Sequence, residues 1–213
     1  MLTALLVVTG CSAARHVTEA DRLQAQAAYE QAVAALARRE WATALTILRR
    51  VTALDPDVPV YRNALGLSLL QLGQPHLALV EFQRAVEIDP GYAEGHLNTG
   101  IALAEQGRFA EAVAAYTKAI ALPRLTAPDT AHVNLGVALL NLGRLPEAEG
   151  SLRFALSLDP QLAAAWYHLG MVLVASERRD EAKDAFRKAR ELAPGSPFGQ
   201  AAAERLKALG EGG

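Results

Sequence analysis

The chain has 213 residues, a formal net charge of −2, and an apolar half in which aromatics make up only 6% of all residues. It can bury one core or one continuous solenoid, built from Ala, Leu and Val, a composition that favours helices over strands. No dense basic block is present, which argues against nucleic acid as a partner, and a single cysteine leaves no internal disulfide.

In chain order, the first feature is the apolar run Leu2–Val8, far too short to span a bilayer but suited to the apolar part of a secretion signal. It leads into Val8-Thr9-Gly10-Cys11, and small residues before a cysteine in this setting resemble the lipobox of bacterial lipoproteins. The resemblance implies that Cys11 is the lipid-attachment residue and that residues 1–11 are signal and lipobox. Ser12 after the cysteine, rather than aspartate, implies a lipid-anchored, periplasm-facing protein of the outer membrane. Several acyl chains would anchor durably. No basic residue precedes Cys11, so either translation starts upstream of Met1 and the signal is truncated here, or the match is accidental; the first is preferred. Residues 12–24 read as a linker with a reach of roughly 40 Å at most.

From residue 25 the chain repeats itself. Gly66, Gly100, Gly136 and Gly170 set one ruler, and Pro56, Pro90, Pro160 and Pro194 run in step with it. Ala44, Ala78, Ala112, Ala148 and Ala182 set another, each followed four residues on by Leu48, Phe82, Tyr116, Leu152 or Phe186. The glycine belongs where two helices cross too closely for a side chain. The alanine belongs where the second helix meets its partner, and the bulky residue is expected to fill the gap between units. Gly73, Gly107 and Gly143 fall at the turn inside each unit, and the prolines close each second helix. Units of about 34 residues with this pattern resemble the tetratricopeptide repeat (TPR). That implies an all-α TPR solenoid of five helix-turn-helix repeats over 25–196 (25–58, 59–92, 93–128, 129–162 and 163–196), with Ala32 replacing the glycine in the first. Residues 197–213 follow as a capping helix and tail, with Phe198, Ala202, Leu206 and Leu209 on one face.

In such a stack the first helices line a groove, and helical spacing brings up to four positions of each unit onto it, from which the candidates are drawn. In the first unit these are Tyr29, Val33 and Leu36; in the second, Asn63, Leu67 and Leu70. The third contributes Leu97 and Ile101, the fourth Val133, Val137 and Leu140, and the fifth Tyr167, Met171 and Val174. Some of these must pack against neighbouring helices, but an apolar stripe beyond what the core needs marks a protein partner. Only Asn63 and Asn141 approach the chemistry of a carboxylate clamp, and no lysine accompanies them.

Catalytic and cofactor signatures are absent, so a non-enzymatic protein without cofactor or metal is expected. His96, His132 and His168 recur 36 residues apart, but equivalent positions lie a helix pair apart, too far for shared ligation. Glu177 and Asp180 read as a solvated face in a unit that has lost its turn glycine.

The third junction, Leu122-Pro123-Arg124-Leu125-Thr126-Ala127-Pro128, is two residues longer than the others and opens into Asn134-Leu135-Gly136. With the lipobox, this resembles the pilotin lipoproteins of type IV pili, the PilF, PilW and Tgl group, which usually carry six repeats where five are legible here. That resemblance implies a scaffold that binds the pilus secretin and promotes its membrane localisation and multimer assembly. The alternatives are another envelope TPR lipoprotein, either a β-barrel assembly subunit or a regulator of peptidoglycan enzymes, and a cytosolic TPR adaptor without lipid.

Overall fold

The computed structural model describes residues 16–211. Cys11, the signal and lipobox (1–11) and the first residues of the expected linker lie outside the described residues. Among those described, the secondary structure is eleven α-helices and no strand. Five antiparallel pairs follow one another: α1 (Glu19–Ala37) with α2 (Trp41–Leu54), α3 (Pro59–Gln71) with α4 (Pro75–Ile88), α5 (Ala93–Glu105) with α6 (Phe109–Ile120), α7 (Pro128–Asn141) with α8 (Leu145–Leu158), and α9 (Ala163–Ala175) with α10 (Arg179–Leu192). The last helix, α11 (Pro197–Ala208), packs on α9 and α10.

The ruler residues are where the helices meet. Ala44, Ala78, Ala112, Ala148 and Ala182 are fully buried, as are Leu48, Phe82, Leu152 and Phe186, with Tyr116 nearly so. A Cβ on Gly66 would lie 2.5 Å from the Phe82 ring, and one on Gly136 would lie 2.6 Å from Leu152 Cγ. The bulky residue therefore presses on the glycine of its own unit, and its first role is closure of the hairpin rather than the filling of an inter-unit gap. The glycine lets the two helices approach until the ring or isobutyl group fills the contact.

Every unit turns the same way. In the middle three units Gly73, Gly107 and Gly143 take φ near +72°, and the next amide bonds back to a carbonyl of the first helix, as in Arg108 N–H to Leu103 O (3.0 Å). Units one and five make the same turn without glycine: Arg39 and Glu177 adopt φ of 58° and 61°. Arginines at the start of α6, α8 and α10 pair with glutamates three residues on, each at 2.6 Å, but these exposed pairs contribute little.

The loop prolines have a second role besides ending α2, α4 and α8. Arg62 Nε, His96 Nε2 and Trp166 Nε1 each donate to the carbonyl of the proline six residues earlier, at 3.1, 3.0 and 2.9 Å. This ties each first helix to the loop that delivers it. In the fourth unit the longer junction puts Thr126 at that offset, so His132 loses the partner. Its Nδ1 is buried with none among the described residues, and its ring rests on Phe154 at 4.3 Å between centroids. The junction itself is held by Thr126 N–H donating to Glu94 Oε1.

One boundary differs from expectation. α1 begins at Glu19, inside the expected linker, because Thr18 and Asp21 form a reciprocal capping box and Ala25, Ala28, Ala32 and Ala35 bury one face. On α11, Ala202 and Leu206 are buried and Leu209 half-buried, while Phe198 remains exposed against the Tyr167 and His168 rings.

Candidate functional site

The first helices of neighbouring units touch one another (α3 with α5, α5 with α7, α7 with α9), while the second helices of successive units make no comparable contact. The stack therefore curves with its first helices inside, and the groove is theirs. α5 and α7 meet over a shorter stretch than the other two pairs, although α6 and α7, on either side of the longer third junction, pack as closely as α4 and α5 do. The buried core divides at the same place: Leu135 and Val113 pack against both halves, and α7 contributes Ala131 and Ala138 to one and Val133 and Leu139 to the other.

Two open hollows lie here, sharing Val137 as a common wall. The first, about 360 Å³, sits between α5, α6 and α7 and is lined by Ile101, Ala104, Glu105, Phe109, Asn134 and Val137, with Tyr116 and Ala138 beneath. The second, about 430 Å³, sits between α7 and α9 and is lined by Val137, Leu140, Asn141, Tyr167, Met171 and Val174, with His168 and Ala175. Their walls are mainly apolar, and among the described residues Glu105 is the one carboxylate on either. Burial drops the pKa of His168 to about 4, so its imidazole is neutral near pH 7 and adds no charge.

The groove residues expected from the sequence divide into three groups. Ile101, Val137, Leu140, Tyr167, Met171 and Val174 come together around the two hollows. Asn63, Leu97 and Val133 are buried, at 7–8% exposure, between adjacent helices. Asn63 Oδ1 accepts from Asn98 Nδ2 at 2.8 Å, and Asn141 Nδ2 donates to Val137 O, so both asparagines are already engaged. At the N-terminal end Tyr29 packs tilted against Tyr61 (4.7 Å between centroids), Val33 is exposed, and Leu36, Leu67 and Leu70 pack half-buried against the core.

Reasoning from the sequence missed Glu105, Asn134, Phe109 and Ala104. Glu105 and Asn134 lie one helical step beside positions that were chosen, at five residues after and two before the ruler glycines, and a wider stripe would have included them. The three histidines do unrelated things. His96 and His132 occupy equivalent positions, whereas His168 falls two residues later in its unit, between the Tyr167 and Phe198 rings. Among the described residues no three His, Cys, Asp or Glu side chains gather as a metal site would require, and no helix is long and apolar enough to cross a membrane.

Paired helices with glycine-mediated crossings, stacked into a curved array and closed by a single terminal helix, define an α-solenoid whose working surface is its inner face. The tetratricopeptide-repeat family model matches residues 63–130 and 133–197. The chain belongs to the tetratricopeptide-repeat family, whose members are scaffolds for protein partners. Similar solved structures include PilW, described as a widely conserved type IV pilus biogenesis factor, at 23% identity over 91% of this chain and 88% of that one (TM-score 0.76). PilF of Pseudomonas aeruginosa is 20% identical over 92% and 96% of the two chains (TM-score 0.72). YrrB, described as a TPR protein with an unusual peptide-binding site, is 21% identical over 81% and 88% (TM-score 0.65). At these identities the likeness is one of fold.

Proposed function

We propose that this protein is a lipid-anchored TPR scaffold of the outer membrane that holds a segment of the type IV pilus secretin in its groove, and so promotes the secretin's membrane localisation and assembly. The observation that carries the reading is the pair of adjoining, mainly apolar hollows along α5, α7 and α9, walled by Val137 and set where the buried core divides at α7. Such a surface is more than the core needs and suits an amphipathic helix or an apolar extended segment. Support for the pilus setting comes from the fold shared with PilW and PilF over most of each chain. The Val8-Thr9-Gly10-Cys11 sequence supports the anchor. The role is binding without chemistry: the lipid fixes the solenoid to the membrane, and the groove presents the subunit.

The test is Ile101→Asp with Val137→Asp. Both residues are half-buried and open to the hollows, so the substitutions put charge against an apolar partner while leaving the hairpins closed. The double variant stays in the outer membrane, leaves secretin as monomers and abolishes pilus-dependent motility. Heat-resistant secretin multimers at the wild-type level in that strain contradict the reading. Cys11→Ser tests the anchor independently: it removes the acyl mass and releases a folded protein from the membrane fraction, and an unacylated wild type contradicts lipidation.

A further inference from the structure

The hollow between α5, α6 and α7 carries one feature that an apolar groove does not need. Glu105 is the last residue of α5, at the negative end of the helix dipole, with its carboxylate on the wall beside Ile101, Phe109 and Val137. The repeat does not require an acid there: the equivalent residues are Gln71, Asn141 and Ala175. Nor is it a structural ion pair. Glu111, Glu147 and Glu181 each hold an arginine three residues earlier, whereas Glu105 has no such partner among the described residues. Its field nevertheless reaches the floor of the hollow: the Tyr116 phenol is pushed up, by burial foremost and then by the Glu105 charge.

While the hollow is open to water, this carboxylate is solvated and costs little. A segment that covers Ile101 and Val137 strips that water away, and an anion left unpaired against apolar walls then opposes binding. Only an occupant that supplies a cation avoids the penalty, and the pair it forms is strengthened by the dry surroundings.

We propose that this hollow receives a lysine or arginine of the partner segment, paired with Glu105, while apolar residues flanking that cation pack on Ile101 and Val137. The proposal rests on the groove being the partner site and adds the sequence character of what enters it. An acidic or phosphorylated segment is disfavoured by the same charge, and a purely apolar one by the unpaired anion.

The probe is a phage-displayed library of random peptides, selected on the full-length protein and re-measured as synthetic peptides on variants. Peptides that bind the wild type and fail on Ile101→Asp/Val137→Asp should be enriched in Lys or Arg flanked by apolar residues. They should bind Glu105→Gln about tenfold more weakly, and Glu105→Lys should prefer the versions in which the basic residue is replaced by Glu. Groove-dependent peptides with no basic residue, or with affinity unchanged on Glu105→Gln, overturn this inference and leave the groove intact as a site. Peptides indifferent to the Ile101/Val137 pair, or failure of any groove-dependent peptide to emerge, overturn both.

Discussion

One unit offers the same chemical change at two helical glycines with opposite expected signs. A methyl group on Gly136, in α7, would sit 2.6 Å from Leu152 Cγ, 3.0 Å from its Cδ2 and 3.3 Å from the Ala148 carbonyl. Carbon atoms prefer separations of about 3.5–4.0 Å, so α7 and α8 must part by most of an ångström. Leu152 cannot swing aside, because the nearest atom is its branch carbon and the side chain is fully buried. Overpacking of this kind costs about 1–3 kcal/mol, against roughly 1 kcal/mol that alanine recovers from better helix propensity. Gly136→Ala should therefore lose up to about 2 kcal/mol, a fall in Tm of up to about 6 °C for a chain of this length. Gly150, exposed in α8, has nothing within 4 Å of where a Cβ would go. Gly150→Ala should gain about 0.5–1 kcal/mol, and its Tm should rise by about 2 °C. Thermal unfolding followed by far-ultraviolet circular dichroism on both variants reads the difference. A Gly136→Ala protein stabilised as Gly150→Ala is would refute the packing that defines the repeat.

Two further outcomes follow from the end units and from burial. Glu177→Gly relieves an L-residue held at φ 61° and should raise Tm by about 2–4 °C, with Asp180 and the rest of that exposed edge unaffected; no rise would mean the turn is not strained. Acid should weaken the fold through His168, whose pKa in the folded chain lies near 4 against about 6.5 when unfolded. The unfolded state then takes up the proton first, so stability is full above pH 6.5 and falls as pH drops from there towards 4. His96 and His132 are shifted the same way, His96 by burial first and His132 by burial alone. Replacing His168 with Phe should flatten part of the Tm decline between pH 7 and 5, and an unchanged decline would exclude His168 as a source.

The all-α solenoid was legible because its physics recurs: a glycine where hairpins close, an alanine and a bulky residue opposite, and a proline at each exit. What was harder to read depended on alanine, on register or on neighbours in space. The start of α1 rests on Thr18, Asp21 and a stripe of alanines, which carries little amphipathic signal. The equal spacing of the three histidines concealed that His168 belongs to a different position of its unit. Asn63, Leu97 and Val133 have the right spacing for the groove, yet adjacent first helices approach closely enough to bury them. The longer third junction was visible in the sequence, but the hollow between α5, α6 and α7 and the exposed carboxylate of Glu105 on its wall follow only once the helices are stacked.

The central claim is that the inner face around Val137, and not the outer face, meets the secretin. A photo-crosslinking amino acid placed at Val137, and separately at Val80, which is 58% exposed on α4, tests it most directly in living cells. The account predicts an adduct of the secretin subunit from position 137 and none from position 80. Secretin captured from position 80 alone, or no secretin adduct from position 137 in cells that assemble normal multimers, would contradict it.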